Sequence, residues 1–270
     1  MATCTAAKRN MRVAAIYDIH GNLPALEAVL HEVRLADVEL IIVGGDVLPG
    51  PMPRETLECL LNVDLPVQFI QGNCEIDALA EMTGTGAVRF PEAAREVMRW
   101  SAQQLFPEYE QLLAGWAKTL RIEIDGLGAV LFCHATPRDD NEIFTRRTPE
   151  ELLLPIFEGL DAAMVVCGHT HMQFDRMVGK IRVVNAGSVG MPFGEAGANW
   201  LLLEPNVQLR HTSYDLSKAA ERIRKTDYPQ AEDFAESYVL QPPSEEKMLE
   251  VFARAELELS KSWGVTKTKR

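Results

Sequence analysis

Tyr17-Asp18-Ile19-His20-Gly21-Asn22 closes an apolar run, Arg12–Tyr17, that reads as a buried strand. An aspartate and a histidine two residues apart leave that strand together. Gly21 then lets the backbone turn tightly behind them. A carboxylate and an imidazole so placed can bind one metal ion from the same side. Four further ligand-bearing loops follow: Gly44-Gly45-Asp46, Gly72-Asn73-Cys74-Glu75, Cys133-His134 and Gly168-His169-Thr170-His171. Each begins where a hydrophobic stretch ends. Five such loops in one chain point to a two-metal hydrolytic site.

Working outward, Leu23–Arg34 is predicted as a helix with Leu23, Leu26, Val29, Leu30 and Val33 on one face. Leu40–Val43 is a second strand, Pro53 opens a helix to about Leu61, and Val67–Gln71 is a third strand. This β-α-β-α-β order predicts a parallel sheet with crossover helices. Residues 75–118 read as a largely helical cover beside the site, broken at Gly84-Thr85-Gly86. The second half is strand-rich. Arg121–Ile124 and Ala129–Phe132 should pair around Asp125-Gly126, Gln173–Val178 with Ile181–Val184, and Trp200–Leu203 with Val207–His211. A helix over Pro149–Gly159 and a short strand over Met164–Val166 lie between the first two pairs. Asp215 should cap a further helix, followed by helices around Ala231–Tyr238 and Ser244–Ser262, with Pro242-Pro243 as a hinge. The expected organisation is a disordered leader at 1–10, one domain over 11–214, and C-terminal helices over 215–270 packed on it.

With 270 residues, 47% of them apolar, the chain can bury one large α/β core. A formal charge of −12 argues against broad nucleic-acid binding, which needs a basic face. It leaves a phosphate substrate open, because bound divalent cations reverse the local field. The five cysteines show no CxxC and no disulfide-like framework, which fits a reducing cytoplasm. No stretch is apolar and long enough to span a membrane, and the N-terminus lacks the apolar segment of a signal peptide.

Hydrolysing a phosphate ester requires its charge to be neutralised and a water made nucleophilic. Two cations about 3.5–4 Å apart do both. The donors on offer are the carboxylates Asp18 and Asp46, the imidazoles His20, His134, His169 and His171, and the amide of Asn73. His31 and His211 read as solvated surface residues. Asp18 and Asp46 could instead be helix N-caps, but both follow strands directly, at the sheet edge where ligands bind. Cys74 reads as a small loop-filling residue, with a soft ligand or nucleophile as the alternative. Cys133 and Cys167 read as core. Asn22 either orients a phosphate or stabilises its own turn. Glu75 either caps its loop or supports a ligand. Arg138, Arg146 and Arg147 are candidate phosphate contacts on what is otherwise a solvated loop.

The ordered set D-x-H-G-N, G-G-D, G-N-C-[DE], x-H-x and G-H-T-H resembles the calcineurin-like metallophosphoesterase superfamily. Gly45-Asp46, Gly50-Pro51 and Asn185-Ala186-Gly187-Ser188-Val189-Gly190 resemble its small prokaryotic phosphodiesterase branch. The resemblance implies a four-layer α/β/β/α sandwich of two mixed sheets. It implies one metal on Asp18, His20 and His171, a second on Asn73, His134 and His169, and Asp46 bridging them. Catalytic roles would fall to Asp46, Asn73 and His134, and substrate binding to Asn22, Asn73 and His134. The implied reaction is hydrolysis of a phosphodiester by a metal-bridging hydroxide, with two divalent ions as cofactors. Mn²⁺ is the first choice, with Fe, Ni, Co or Zn as alternatives. Cys74 departs from the histidine of the larger phosphatases, and that favours diesters over monoesters. Tyr17 stands where serine is commoner, Ala135 where glycine is usual, and N-A-G-S replaces N-P-G-S. A phosphomonoesterase, a protein phosphatase and a dinucleoside polyphosphate hydrolase are alternatives. A non-catalytic scaffold of this fold would have lost ligands that this chain keeps. The expected partner is a small phosphoester, with no nucleic acid and no membrane, and the C-terminal helices leave room for a homo-oligomer contact.

Overall fold

A computed structural model describes residues 11–86 and 92–262. The leader expected at 1–10 lies outside the described residues. The first sheet is built on β1 (Val13–Ile16), β2 (Leu40–Val43) and β3 (Val67–Phe69). Helices α1 (Leu23–Leu35) and α2 (Pro53–Leu61) connect these strands, which run parallel. Strands β9 (Ala198–Leu203) and β10 (Val207–Thr212) complete the sheet in the order β10-β9-β1-β2-β3, with β9 antiparallel to β1. The second sheet has the order β4-β5-β6-β8-β7. Its members are β4 (Thr119–Ile124), β5 (Gly128–Cys133), β6 (Met164–Cys167), β7 (Phe174–Val178) and β8 (Ile181–Asn185). Strands β5, β6 and β8 are parallel, and the hairpin partners β4 and β7 are antiparallel edges. Both sheets are therefore mixed.

Side-chain alternation along the strands sorts the layers. Val13 and Ala15 of β1 and Leu40 and Ile42 of β2 point to the same apolar layer as Val130 and Phe132 of β5 and Met164 and Val166 of β6. That layer is the interface between the sheets. The intervening residues Ala14, Ile16, Ile41 and Val43 face a helical layer. Leu131, Cys133, Val165 and Cys167 face α6 (Glu150–Phe157) on the opposite side. Helices, sheet, sheet and helix make the predicted four-layer sandwich, and strands buried on both faces explain the continuous apolar runs.

The helical cover consists of α3 (Asn73–Met82), α4 (Glu92–Gln104) and α5 (Glu108–Ala114). Helix α3 begins at Asn73, two residues earlier than predicted, so that a candidate ligand opens the helix. Asp215 Oδ1 accepts the Lys218 N–H at 3.0 Å and caps α7 (Leu216–Arg224), as its sequence position suggests. The next helix is split: α8 (Ala231–Phe234) runs into a π-helical turn over Ala235–Leu240. Ala219, Ile223, Phe234 and Val239 of this region pack into the helical layer of the first sheet. Helix α9 (Glu245–Ser262) follows. Among the described residues, no helix is long and apolar enough to cross a membrane.

Candidate metal centre

Every candidate ligand follows the C-terminal end of a parallel strand: Asp18 and His20 after β1, Asp46 after β2, Asn73 after β3, His134 after β5, and His169 and His171 after β6. Each sheet contributes one side of the site. The loops are bent sharply to present these side chains. Asp18, His20, Asp46, His169 and His171 all have φ between 47° and 67°. Left-handed backbone costs a non-glycine residue about 1–2 kcal/mol. Asp37 is the one other described non-glycine residue in this region, so the strain is concentrated at the site. Tyr17 spans the two sheets beneath the loops. Its hydroxyl donates to Val166 O at 3.1 Å, and its ring fills the space that a Cβ on Gly44 would need, 1.9 Å from Cε1.

The donor atoms converge. Asp18, His20 and His171 each place a ligand atom within 4.8 Å of the others, and so do Asp46, His134 and His169. Asp46 reaches both groups: its Oδ2 is 3.9 Å from His20 Nε2, and its Oδ1 is 3.5 Å from His134 Nε2. Asn73 Oδ1 lies 3.0 Å from His134 Nε2. A third grouping of His20, Asp46 and Cys74 places the thiol beside the same donors. All but His169 and Cys74 are buried.

This donor set fits divalent cations. Asp18 Oδ1 is buried and has no hydrogen-bond partner, and a bare buried carboxylate oxygen is strongly unfavourable unless a cation meets it. His134 Nδ1–H donates to Gly44 O at 2.9 Å, and His171 Nδ1–H to Met191 O at 2.9 Å. Both rings therefore aim Nε2 into the site. There His134 Nε2 meets an amide oxygen, and His171 Nε2 meets His20 Nε2 at 3.2 Å. A metal ion would satisfy the facing lone pairs of His134 and Asn73, and the His20–His171 pair either shares a proton or meets a metal ion.

The electrostatics follow. Burial, with His171 beside it, pushes the His20 imidazole down to about 4. Burial and His134 do the same to His169, also to about 4. Both rings are neutral donors at neutral pH. Burial would lower His134 and His171 too, but Asp46 and Asp18 outweigh it at His134, and Asp18 does so at His171, so both rise. Burial would raise Asp18, yet His171, His134 and His20 hold it well below the usual carboxylate range. Burial and Asp46 push Glu75 up to about 7.

The supporting residues divide sharply. Glu75 does both things expected of it: its carboxylate accepts N–H groups from Asp46, Val47 and Gly72, each at 2.8 Å, tying the second ligand loop to the third. Asn22 is engaged within its own turn. Its Oδ1 accepts Ala25 N–H at 3.2 Å to cap α1, and its Nδ2 donates to Gly190 O at 2.9 Å and to Tyr214 Oη at 3.4 Å. These contacts let the buried amide hold its turn. Arg146 and Arg147 pair with Glu245 and Glu246 of α9, and Arg138 pairs with Glu142. His211 is part-buried, with Nδ1 2.9 Å from Asn199 Oδ1, rather than solvated. Ser188 Oγ donates to Asp18 O at 2.7 Å and accepts from Met191 N–H at 2.8 Å. Sequence reading missed Phe193, whose ring stacks on His171 with centroids 5.2 Å apart. An isolated phenylalanine carries no sequence signal for such a contact.

The profile of the calcineurin-like phosphoesterase superfamily domain matches residues 11–206. The chain belongs to this superfamily. It is a hydrolase acting on phosphoric esters, in a metal-dependent family. Phosphodiesterase YfcE of Escherichia coli is 27% identical over 208 residues, which cover 73% of this chain and 89% of that protein. A metallophosphoesterase from Sphaerobacter thermophilus superposes with a TM-score of 0.65 at 26% identity, over 84% of this chain and 98% of that one. The protein PH1004 of Pyrococcus horikoshii OT3 shares the fold, with a TM-score of 0.74 at 20% identity, over 87% of this chain and all of its own.

Proposed function

We propose that the chain is a dinuclear phosphodiesterase acting on small substrates. The observation that carries this reading is Asp46, whose two carboxylate oxygens face two separate donor groups. In this reading Asp18, His20 and His171 hold one cation, Asn73, His134 and His169 the other, and Asp46 both. Two divalent cations bound there neutralise the phosphoryl oxygens and acidify a water. Mn²⁺ suits the mixed imidazole and carboxylate donors, with Fe, Ni, Co or Zn as alternatives.

The side chains do the rest. Gly44 O fixes the His134 tautomer, and Asn73 Nδ2, which makes a long 3.5 Å approach to Cys74 Sγ, is left to donate to a phosphoryl oxygen. Asn73 also sits at the N-terminus of α3, where the helix dipole favours an anion. Burial and Asp46 raise the Cys74 thiol well above its ordinary value, which makes it a poor proton donor to a leaving alcohol. A monoester dianion needs that proton more than a diester does. The name of the YfcE relative agrees with this preference. Cys59, Cys74, Cys133 and Cys167 are all unpaired, which supports a reducing, cytoplasmic setting.

The test is a panel of small mono- and diesters assayed with each metal, on wild type and Cys74→His. Wild type should prefer diesters, and Cys74→His should shift the ratio towards monoesters. A wild-type preference for monoesters of unactivated alcohols, or a ratio that Cys74→His does not move, would replace this reading with the phosphatase one.

A further inference from the structure

One candidate ligand ring is stacked on a residue that a helix outside the matched domain backs. His171 donates from Nδ1 to Met191 O at 2.9 Å, which fixes its tautomer and directs Nε2 into the site. Phe193 covers one face of the ring, stacked on it with an interplanar angle of 21°. Among the described residues, His171 is the one candidate ligand stacked on an aromatic ring that is not itself a candidate ligand. Phe193 is buried with Met172 and with Leu249 of α9, and its ring centroid lies 6.2 Å from that of Phe252.

Helix α9 is in turn fixed at its start. Gly194 N–H, next to Phe193, donates to Pro243 O at 2.9 Å, so the expected hinge at Pro242-Pro243 is tied down. Glu245 pairs with Arg146 at 2.6 Å, and Glu246 takes both guanidinium nitrogens of Arg147 at 3.0 and 2.7 Å. These arginines lie on the segment after the His134 loop. The superfamily profile ends at residue 206, whereas α9 begins at Glu245. The appendage therefore reaches back to a ligand of the core domain through Phe193.

We propose that Phe193, backed by α9, is a positioning residue that fixes the plane of the His171 ring, so that the C-terminal appendage sets the affinity of one of the two cation positions. A metal ligand's lone pair lies in the imidazole plane, and a tilt of more than about 10–20° misdirects it. Outer contacts of this kind change metal affinity by about 10–100-fold. The inference rests on the reading of His171 as a ligand.

The experiment uses the full chain, stripped of metal and titrated with Co²⁺ by calorimetry and visible absorption. Wild type should show two binding events. Phe193→Ala should weaken one by about 10–100-fold and change its absorption band, leaving the other intact. Phe193→Tyr, which restores a flat ring, should recover the affinity and the band. Phe252→Ala should weaken the same event to a smaller extent, and with Phe193→Tyr it carries the test if Phe193→Ala does not fold. Two wild-type affinities in Phe193→Ala, equal weakening of both events, or no recovery with tyrosine would overturn the proposal. His171→Ala separates the two readings. If it leaves both events intact, the ligand assignment falls; if it removes one event that Phe193→Ala does not touch, only the present inference falls.

Discussion

Glu75→Gln probes how the second and third ligand loops are held together. The carboxylate accepts Asp46 and Gly72 N–H on Oε2, both at 2.8 Å, and Val47 and Leu48 N–H on Oε1, at 2.8 and 3.3 Å. A carboxamide has one acceptor oxygen, so whichever way it turns, its NH₂ group faces two N–H donors. Two hydrogen bonds to a charged acceptor are lost, at about 1.5–3 kcal/mol each. A second effect runs the other way. Because burial and Asp46 raise Glu75 from 4.5 to about 7, keeping it ionised in the metal-free fold costs about 3 kcal/mol, which the neutral amide avoids. The two effects nearly cancel without metal, and Tm should move by only a few degrees. Cations beside Asp46 remove the repulsion and leave the lost hydrogen bonds uncompensated. A remaining deficit of about 3 kcal/mol appears as roughly a hundredfold weaker metal binding. Calorimetric titration of stripped protein, with parallel melts, measures both quantities. Wild-type metal affinity combined with a large drop in metal-free Tm would show that Glu75 supports the fold and not the site.

Asp46→Asn should abolish turnover and leave the fold intact, because the amide lacks the charge that holds two cations close. Turnover with two metals bound, measured by elemental analysis and assay, would remove Asp46 as the shared ligand. Chelation should lower Tm, since each cation at a hundred times its Kd stabilises by about 2.7 kcal/mol; equal melting with and without chelator would contradict two bound ions. Metal-free stability should peak near pH 6.5. His20 and His169 are depressed to about 4, so their contribution is lost as pH falls from 6.5 through 4, and Glu75 offsets part of this. His134, His171 and Glu75 are raised, so their contribution is lost as pH rises through their folded values. Urea titrations across pH should show both limbs, and a flat profile would refute the assignment.

The candidate site was legible because its donors are local. Asp18, His20, Asp46, Asn73, His134, His169 and His171 each sit where an apolar strand stops, and strand, turn and donor are all within a few residues. The parallel half of the first sheet was legible for the same reason, through alternation and crossover length. Several features needed the folded chain. The hold on Asn22 was hidden because sequence shows its neighbours along the chain and not Gly190, which accepts its amide. The pairing of Arg146 and Arg147 was hidden because Glu245 and Glu246 lie about a hundred residues away. The start of α3 was missed because Gly72 offers no side-chain cap to mark it. Phe193 gave no sign of its role, since stacking is decided by where two loops meet.

The left-handed backbone at Asp18, His20, Asp46, His169 and His171 has a consequence for anyone breeding sturdier versions of this enzyme. Glycine or asparagine at those positions relaxes the loop and removes a desolvated charge or imidazole. Mutants that can no longer turn over substrate should then survive heating better than their parent, provided metal is absent. A library sorted by heat tolerance alone will enrich for such inactive survivors and present them as improvements. Sorting in the presence of metal, or scoring turnover in every round, keeps the selection on the working enzyme.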